Sequence, residues 1–172
     1  MVSHELKGKV AIIGGGAKNL GGLISRTFAA EGAKVVVHYN SASTKTASDD
    51  TVATITKAGG QACAIQGDFT KVDDVVKVFA EAKKRYGGID IAINTVGMVL
   101  KKPILEITEA EYDMMSAVNA KAAFFFIREA GTLLNDPAKI CTIVTSLLAG
   151  YTGLYSIYAG SKAPVEHFTR AA

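Results

Sequence analysis

The chain has few cysteines, no long apolar run, no block of one charge and no low-complexity stretch, and each absence removes a class of protein. Cys63 and Cys141 are the two cysteines among 172 residues, and neither has metal-ligand spacing to His4, His38 or His167. Both sit in apolar, strand-like runs. They read as buried free thiols, which suits a reducing compartment. No run approaches the roughly 18 apolar residues of a membrane span, and the opening Met-Val-Ser-His-Glu-Leu-Lys lacks the apolar core of a secretory signal. The formal net charge is only +3, with lysine and arginine scattered along the chain. That excludes the basic cluster that nucleic acid or an acidic membrane surface calls for. The expectation is a cytoplasmic protein with a small-molecule partner, no metal, and neither nucleic acid nor membrane as a target.

What is present is a regular alternation. With 49% hydrophobic and 20% charged residues, the chain suits one domain over 1–172 with a proper core. Short apolar runs at 9–13, 34–38, 62–66, 89–93 and 140–145 have the continuous pattern of strands covered on both faces. Between them lie segments of helical spacing at 20–31, 44–58, 73–86 and 109–134, with a last one over 155–172. Glycines stop several of these, and Thr108 with Glu111 three residues later forms a capping-box pattern that opens the long fourth helix. Strict alternation of strand and helix implies right-handed crossovers and a parallel sheet with helices on both faces, an α/β doubly wound fold of three layers, α/β/α.

In such sheets ligands sit beyond the carboxyl ends of the strands, and the first strand-helix turn is where a pyrophosphate meets a helix N-terminus. Gly14-Gly15-Gly16-Ala17-Lys18-Asn19-Leu20-Gly21 occupies that turn. Glycine lets the backbone approach phosphate closely, and exposed N–H groups with the helix dipole attract the anion.

A second constellation lies between Ile143 and Lys162. Tyr158 and Lys162 are four residues apart, which places them on one face of a helix with an ammonium beside a phenol. A cation that close favours the phenolate, so such a tyrosine gives a proton to a carbonyl oxygen or takes one from an alcohol. Ser146 is placed to hold the same oxygen, with Thr145 as the alternative.

Taken together, the glycine turn and the Ser-Tyr-Lys group resemble the short-chain dehydrogenase/reductase family. The resemblance implies a Rossmann-like fold and a catalytic group of Asn119, Ser146, Tyr158 and Lys162, with Asn119 shaping the long helix to hold a proton-relaying water. The Ser146 to Tyr158 spacing is one residue shorter than the commonest family spacing, so the loop between them is tightened. The turn resembles the family's Thr-Gly-x-x-x-Gly-x-Gly: Gly15 and Gly21 match, Gly14 replaces the threonine and Asn19 the middle glycine. Asparagine tolerates left-handed backbone, so the loop shape survives. Cofactor contacts are expected at Gly15, Lys18, Asn19, Leu20 and Gly21, and at Tyr39, Asn40 and Ser41 after the second strand. Asp68 resembles the family's adenine-binding aspartate with Phe69 packing beside it. Asn94 and Gly97 match the family's Asn-Asn-Ala-Gly, and Tyr158 and Lys162 face the nicotinamide ribose.

An acidic residue at the end of the second strand would bind a ribose 2′-hydroxyl and repel a 2′-phosphate. The chain has His38-Tyr39-Asn40-Ser41 there, with Lys18, Ser41 and Lys45 available to that phosphate, so NADP(H) is favoured over NAD(H). The implied activity is reversible reduction of a carbonyl to an alcohol in a homodimer or homotetramer. Phe124-Phe125-Phe126-Ile127 suits either a subunit face or the interior. Met98, Leu100, Leu147, Leu148 and Tyr155 suggest an apolar substrate pocket. Two alternatives stay open: a nucleotide-binding or scaffold protein of the same fold without turnover, and an enoyl reductase of related fold, although its usual wider Tyr-Lys spacing argues against it. The family continues past the last residues here, so the chain reads as a fragment.

Overall fold

The computed structural model describes residues 6–172; His4 and the rest of 1–5, on which part of the signal-segment reading falls, lie outside them. Five strands, β1 (Val10–Gly14), β2 (Lys34–Tyr39), β3 (Gln61–Gln66), β4 (Ile91–Asn94) and β5 (Lys139–Thr142), form one sheet in the order β3-β2-β1-β4-β5. Every pairing is parallel, with Ile12 opposite both Val36 and Ala92. The helices are α1 (Asn19–Ala30), α2 (Ala42–Lys57), α3 (Val72–Tyr86), α4 (Glu109–Ser116), α5 (Ala122–Leu133) and α6 (Ser156–Ala171).

Strand residues alternate between two cores, as the two-residue period of a strand requires. Ala11, Ile13, Val35 and Val37 pack with Ala29 and Ile55 beneath α1 and α2. Ile12, Val36 and Cys63 pack with Val75, Phe79 and Phe126 beneath α3 and α5. With both faces covered, the strands need apolar residues at every position. The chain crosses from β3 at one edge, through α3, to β4 on the far side of β1. The strand order therefore reverses between β1 and β4, which opens a crevice there.

Three departures from the sequence reading have local causes. The span 109–134 is one continuous helical path, but its turn Ala117–Lys121 is a π-helix in which the Ala122 N–H reaches back to the Ala117 carbonyl. The fifth strand ends at Thr142 rather than 145: the Ile143 N–H still bonds the Asn94 carbonyl, while its own carbonyl is taken by Lys162. Cys63 is buried but Cys141 is exposed, because β5 is the last strand in the sheet order and has a neighbour on one side only. The run at 124–127 divides: Phe126 and Ile127 are buried, whereas Phe124 is half exposed and packs edge-on against Phe168. Among the described residues no helix is long and apolar enough to cross a membrane.

Candidate active site

The turn after β1 is closed so tightly that side chains are excluded from it. A Cβ at Gly21 would stand 2.1 Å from the Gly15 carbonyl oxygen, and Gly15 itself takes φ +74°. Asn19 accepts a left-handed φ of +50°, the conformation for which asparagine is suited. The turn delivers the chain to the N-terminus of α1, whose cap residue Lys18 makes no side-chain cap and whose first turn carries no acidic residue. The first N–H groups of a helix have no partner within it. Here they face a cleft of about 460 Å³ at the β1/β4 crevice.

Most of the expected nucleotide residues line that cleft: Gly15, Lys18, Asn19, Leu20 and Gly21 from the turn, Tyr39 and Asn40 after β2, Asp68 and Phe69 after β3, and Gly97 after β4. Five expected residues lie outside the lining: Tyr158 and Lys162 on α6, and Ser41, Lys45 and Asn94. Ser41 begins α2, its N–H bonded to Thr44 Oγ1 at 3.3 Å and its hydroxyl to that of Ser43 at 2.9 Å, and Thr44 rather than Ser41 reaches the cleft. Lys45 is drawn along α2 to Asp49, away from the lining. Asn94 is buried and accepts the Val96 N–H at 3.0 Å, which shapes the strand end from behind.

Lys162 does not line the cleft but sits behind Val96 and Gly97, which do. It is 4% exposed, and its ammonium donates to the carbonyls of Ile143 at 3.1 Å and Val96 at 3.3 Å. Its Nζ lies 2.9 Å from where a Cβ of Gly97 would be, so a larger residue there would have to displace the end of the lysine. No carboxylate is paired with it among the described residues, and burial holds its pKa below the ordinary lysine value. Asn119, fully buried in the π-turn, is completely satisfied: its Oδ1 accepts the Met98 N–H at 2.8 Å, and its Nδ2 donates to the Met98 carbonyl and to Ser161 Oγ, each at 2.9 Å. One amide thus ties the loop after β4 to α6.

Tyr158 is half-buried on the first turns of α6 and meets Tyr155 edge-on, with ring centroids 6.1 Å apart. The ammonium of Lys101 stands 5.8 Å from the Tyr155 ring centre. Ser146 is exposed in a short 3-10 turn, Ser146–Leu148, and its hydroxyl makes no hydrogen bond among the described residues. Thr145, the alternative, already accepts the Leu147 N–H at 3.3 Å. The loop between Ser146 and Tyr158 contains Leu154 at φ +73°, backbone that a branched side chain rarely adopts. Its carbonyl accepts the Lys102 N–H at 2.9 Å.

Comparison with known proteins bears directly on this arrangement. A family model described as enoyl-(acyl carrier protein) reductase matches residues 15–172. A hydroxynaphthalene reductase-like protein of Metarhizium brunneum is 39% identical over 98% of the chain and 62% of its own length. A short-chain dehydrogenase/reductase of Pestalotiopsis microspora is 33% identical over 98% of the chain and 63% of its own length. The chain belongs to the short-chain dehydrogenase/reductase family. It also superposes on a dehydrogenase from Burkholderia cenocepacia whose crystal structure contains bound NADP, with TM-score 0.94, 59% identity, and coverage of 96% of this chain and 63% of that one. The chain thus spans a little over three fifths of the length of these relatives.

As a short-chain dehydrogenase/reductase, the chain has residues at its site that reading the sequence did not single out. Ser161 is buried, accepts from Asn119 and donates to the Tyr158 carbonyl at 3.1 Å; its position between Tyr158 and Lys162 was the available signal. Thr95 donates to the Gly14 carbonyl at 2.7 Å. His38, buried beside the glycine turn, carried no local signal at all.

Proposed function

We propose that the protein containing this chain is an NADP(H)-dependent oxidoreductase that reduces a carbonyl to an alcohol, reversibly, and that 1–172 is its nucleotide-binding domain. The observation that carries this reading is the cleft at the uncapped N-terminus of α1, which runs on to Val96 and Gly97 after β4, with the buried Lys162 bonded behind it to the Val96 carbonyl. The donor set fits a dinucleotide: free N–H groups at a helix N-terminus suit a diphosphate, and no carboxylate ends β2 to repel a 2′-phosphate. Lys18 and Thr44 are the cleft residues nearest in chemistry to that phosphate, joined by Asn40 and the N-terminus of α2. The bound NADP of the Burkholderia relative supports the same preference.

When bound, the reduced nicotinamide supplies a hydride to the carbonyl carbon. Tyr158 gives its phenolic proton to the carbonyl oxygen, and the free hydroxyl of Ser146 orients that oxygen by hydrogen bond. Lys162, four residues on from Tyr158 along α6, holds the ribose through its ammonium. Asn119 fixes the π-turn so that a water can carry protons toward Lys162. The half-exposed Phe124 and Phe168 pair on α5 and α6 supports assembly into a homodimer or homotetramer through those helices.

The description of the matching family model favours a second reading, reduction of a carbon-carbon double bond conjugated to a carbonyl. One experiment separates the readings. The intact protein is assayed for NADPH oxidation with a panel of aldehydes, ketones and enoyl thioesters, beside its Tyr158→Phe variant. The expected result is turnover with saturated carbonyls, reduced at least about 100-fold in the variant while NADPH binding persists. Turnover confined to the enoyl compounds establishes the second reading. Binding without any turnover establishes a silent nucleotide-binding member.

A further inference from the structure

His38 is 1% exposed and lines the cleft from the β2 side. Its Nδ1 accepts the Gly15 N–H at 2.9 Å, its Nε2 lies 2.7 Å from the Gly67 carbonyl, and its ring stacks on Phe69 at 3.6 Å between centroids, tilted by 9°. A backbone N–H only donates and a carbonyl only accepts, so the two partners dictate a neutral imidazole with its proton on Nε2. Burial pushes the pKa down to about 4, while Asp68 after β3 and Asp74 on α3, the charged groups that act on it, pull the other way.

We infer that His38 is a positioning residue for the dinucleotide, a neutral clamp that holds the first peptide of the glycine turn against the end of β3. The inference rests on reading that turn as the nucleotide site. Gly15 is closely packed: its carbonyl oxygen stands where a side chain of Gly21 would be, and its own Cβ position lies 2.8 Å from Thr95 Oγ1. Fixing the Gly15 N–H therefore fixes where the turn closes onto α1 and where the free N–H groups of α1 are aimed. Thr95, bonded to the Gly14 carbonyl at 2.7 Å, grips the turn from the β4 side. The turn is thus held from both flanking strands, and removing the acceptor at 38 leaves a half-buried N–H without its protein partner.

Two amide variants of the intact protein test this. In His38→Asn the amide oxygen occupies the place of Nδ1 and can still accept from Gly15. In His38→Gln the amide reaches toward Gly67 and leaves Gly15 unpaired. NADPH and 2′-AMP, which lacks the pyrophosphate, are titrated against each, and NADPH oxidation is measured. The expected result for His38→Gln is a KM and Kd for NADPH raised about tenfold, the equivalent of one lost hydrogen bond. Its kcat at saturating NADPH and its Kd for 2′-AMP stay within about twofold of wild type, and His38→Asn stays within about threefold throughout. Equal losses in the two variants, equal losses for the two ligands, or no loss in His38→Gln overturn the inference. Should His38→Gln fail to fold, His38→Phe, which keeps the stack and removes both bonds, is read by the same criteria. A wild-type protein that does not bind NADPH refutes the nucleotide reading itself before any variant is compared.

Discussion

Two buried polar side chains tie this molecule together at single points, and each has a measurable cost of removal. Asn119 satisfies both polar groups of the Met98 backbone and the Ser161 hydroxyl. In Asn119→Ala the two Met98 groups lose this partner, while Ser161 keeps its bond to the Tyr158 carbonyl, at roughly 1–3 kcal/mol for each group that water cannot reach. Urea unfolding of the intact protein is expected to show about 3 kcal/mol less stability, and an unchanged midpoint would refute this accounting. His38 makes stability depend on pH. Its pKa lies near 6.5 in the unfolded chain and about 4 in the folded one, so between those values the unfolded state binds more protons. Stability therefore rises with pH across that window and is lost as pH falls through it, reaching about 3 kcal/mol below pH 4. Urea titrations at several pH values between 7 and 4 should show this slope in wild type, reduced in His38→Asn. Asn119 was singled out in the sequence through the family resemblance of Val118-Asn119 to a Val-Asn pair. The role of His38 was not, because its partners are 23 and 29 positions away.

The glycine turn and the long helix show how much a local pattern can say about an element. A strand, a glycine turn and a helix were readable at residues 9–31 because glycine marks where backbone must come close. What the pattern did not show was the depth of closure at Gly21. In Gly21→Ala the new methyl meets backbone at 2.1 Å from the Gly15 oxygen, and backbone cannot swing aside as a flexible side chain does. NADPH affinity should fall by at least about 100-fold, with a lowered Tm, as measured by fluorescence titration and thermal unfolding. An alanine variant that binds normally would show that the turn has slack. Similarly, the span of the helix over 109–134 and its Thr108/Glu111 cap were legible, and the Glu111 carboxylate accepts the Thr108 N–H at 2.8 Å. The π-turn at Ala117–Lys121 was not, since one widened turn shifts the helical phase by less than the scatter of an apolar pattern.

Across the sheet, burial falls steeply from centre to edge. Ala11, Ile12, Ile13, Val35, Val36 and Val37 are fully buried, whereas β5 alternates between exposed and half-buried residues. Hydrogen exchange of the 172-residue chain should accordingly be slowest in β1 and β2 and fastest among the strands in β5. Uniform protection across all five strands would contradict that gradient. The same geometry explains what could be read in advance. Apolar runs separated by helical segments are compatible with few arrangements other than a parallel sheet covered on both faces, because strands joined by helices pack back onto the sheet with one handedness. The fold class, the sequence of elements and the glycine turn thus followed from the order of residues alone. The strand order β3-β2-β1-β4-β5 is a matter of tertiary packing. Through it the turn meets His38 on one side and Thr95, 80 positions from Gly15, on the other, and the Lys162 ammonium meets a carbonyl 66 positions away. Periodicity records which face of an element is apolar. It carries no information about which distant polar group will complete a hydrogen bond, and only the packed sheet chooses that partner.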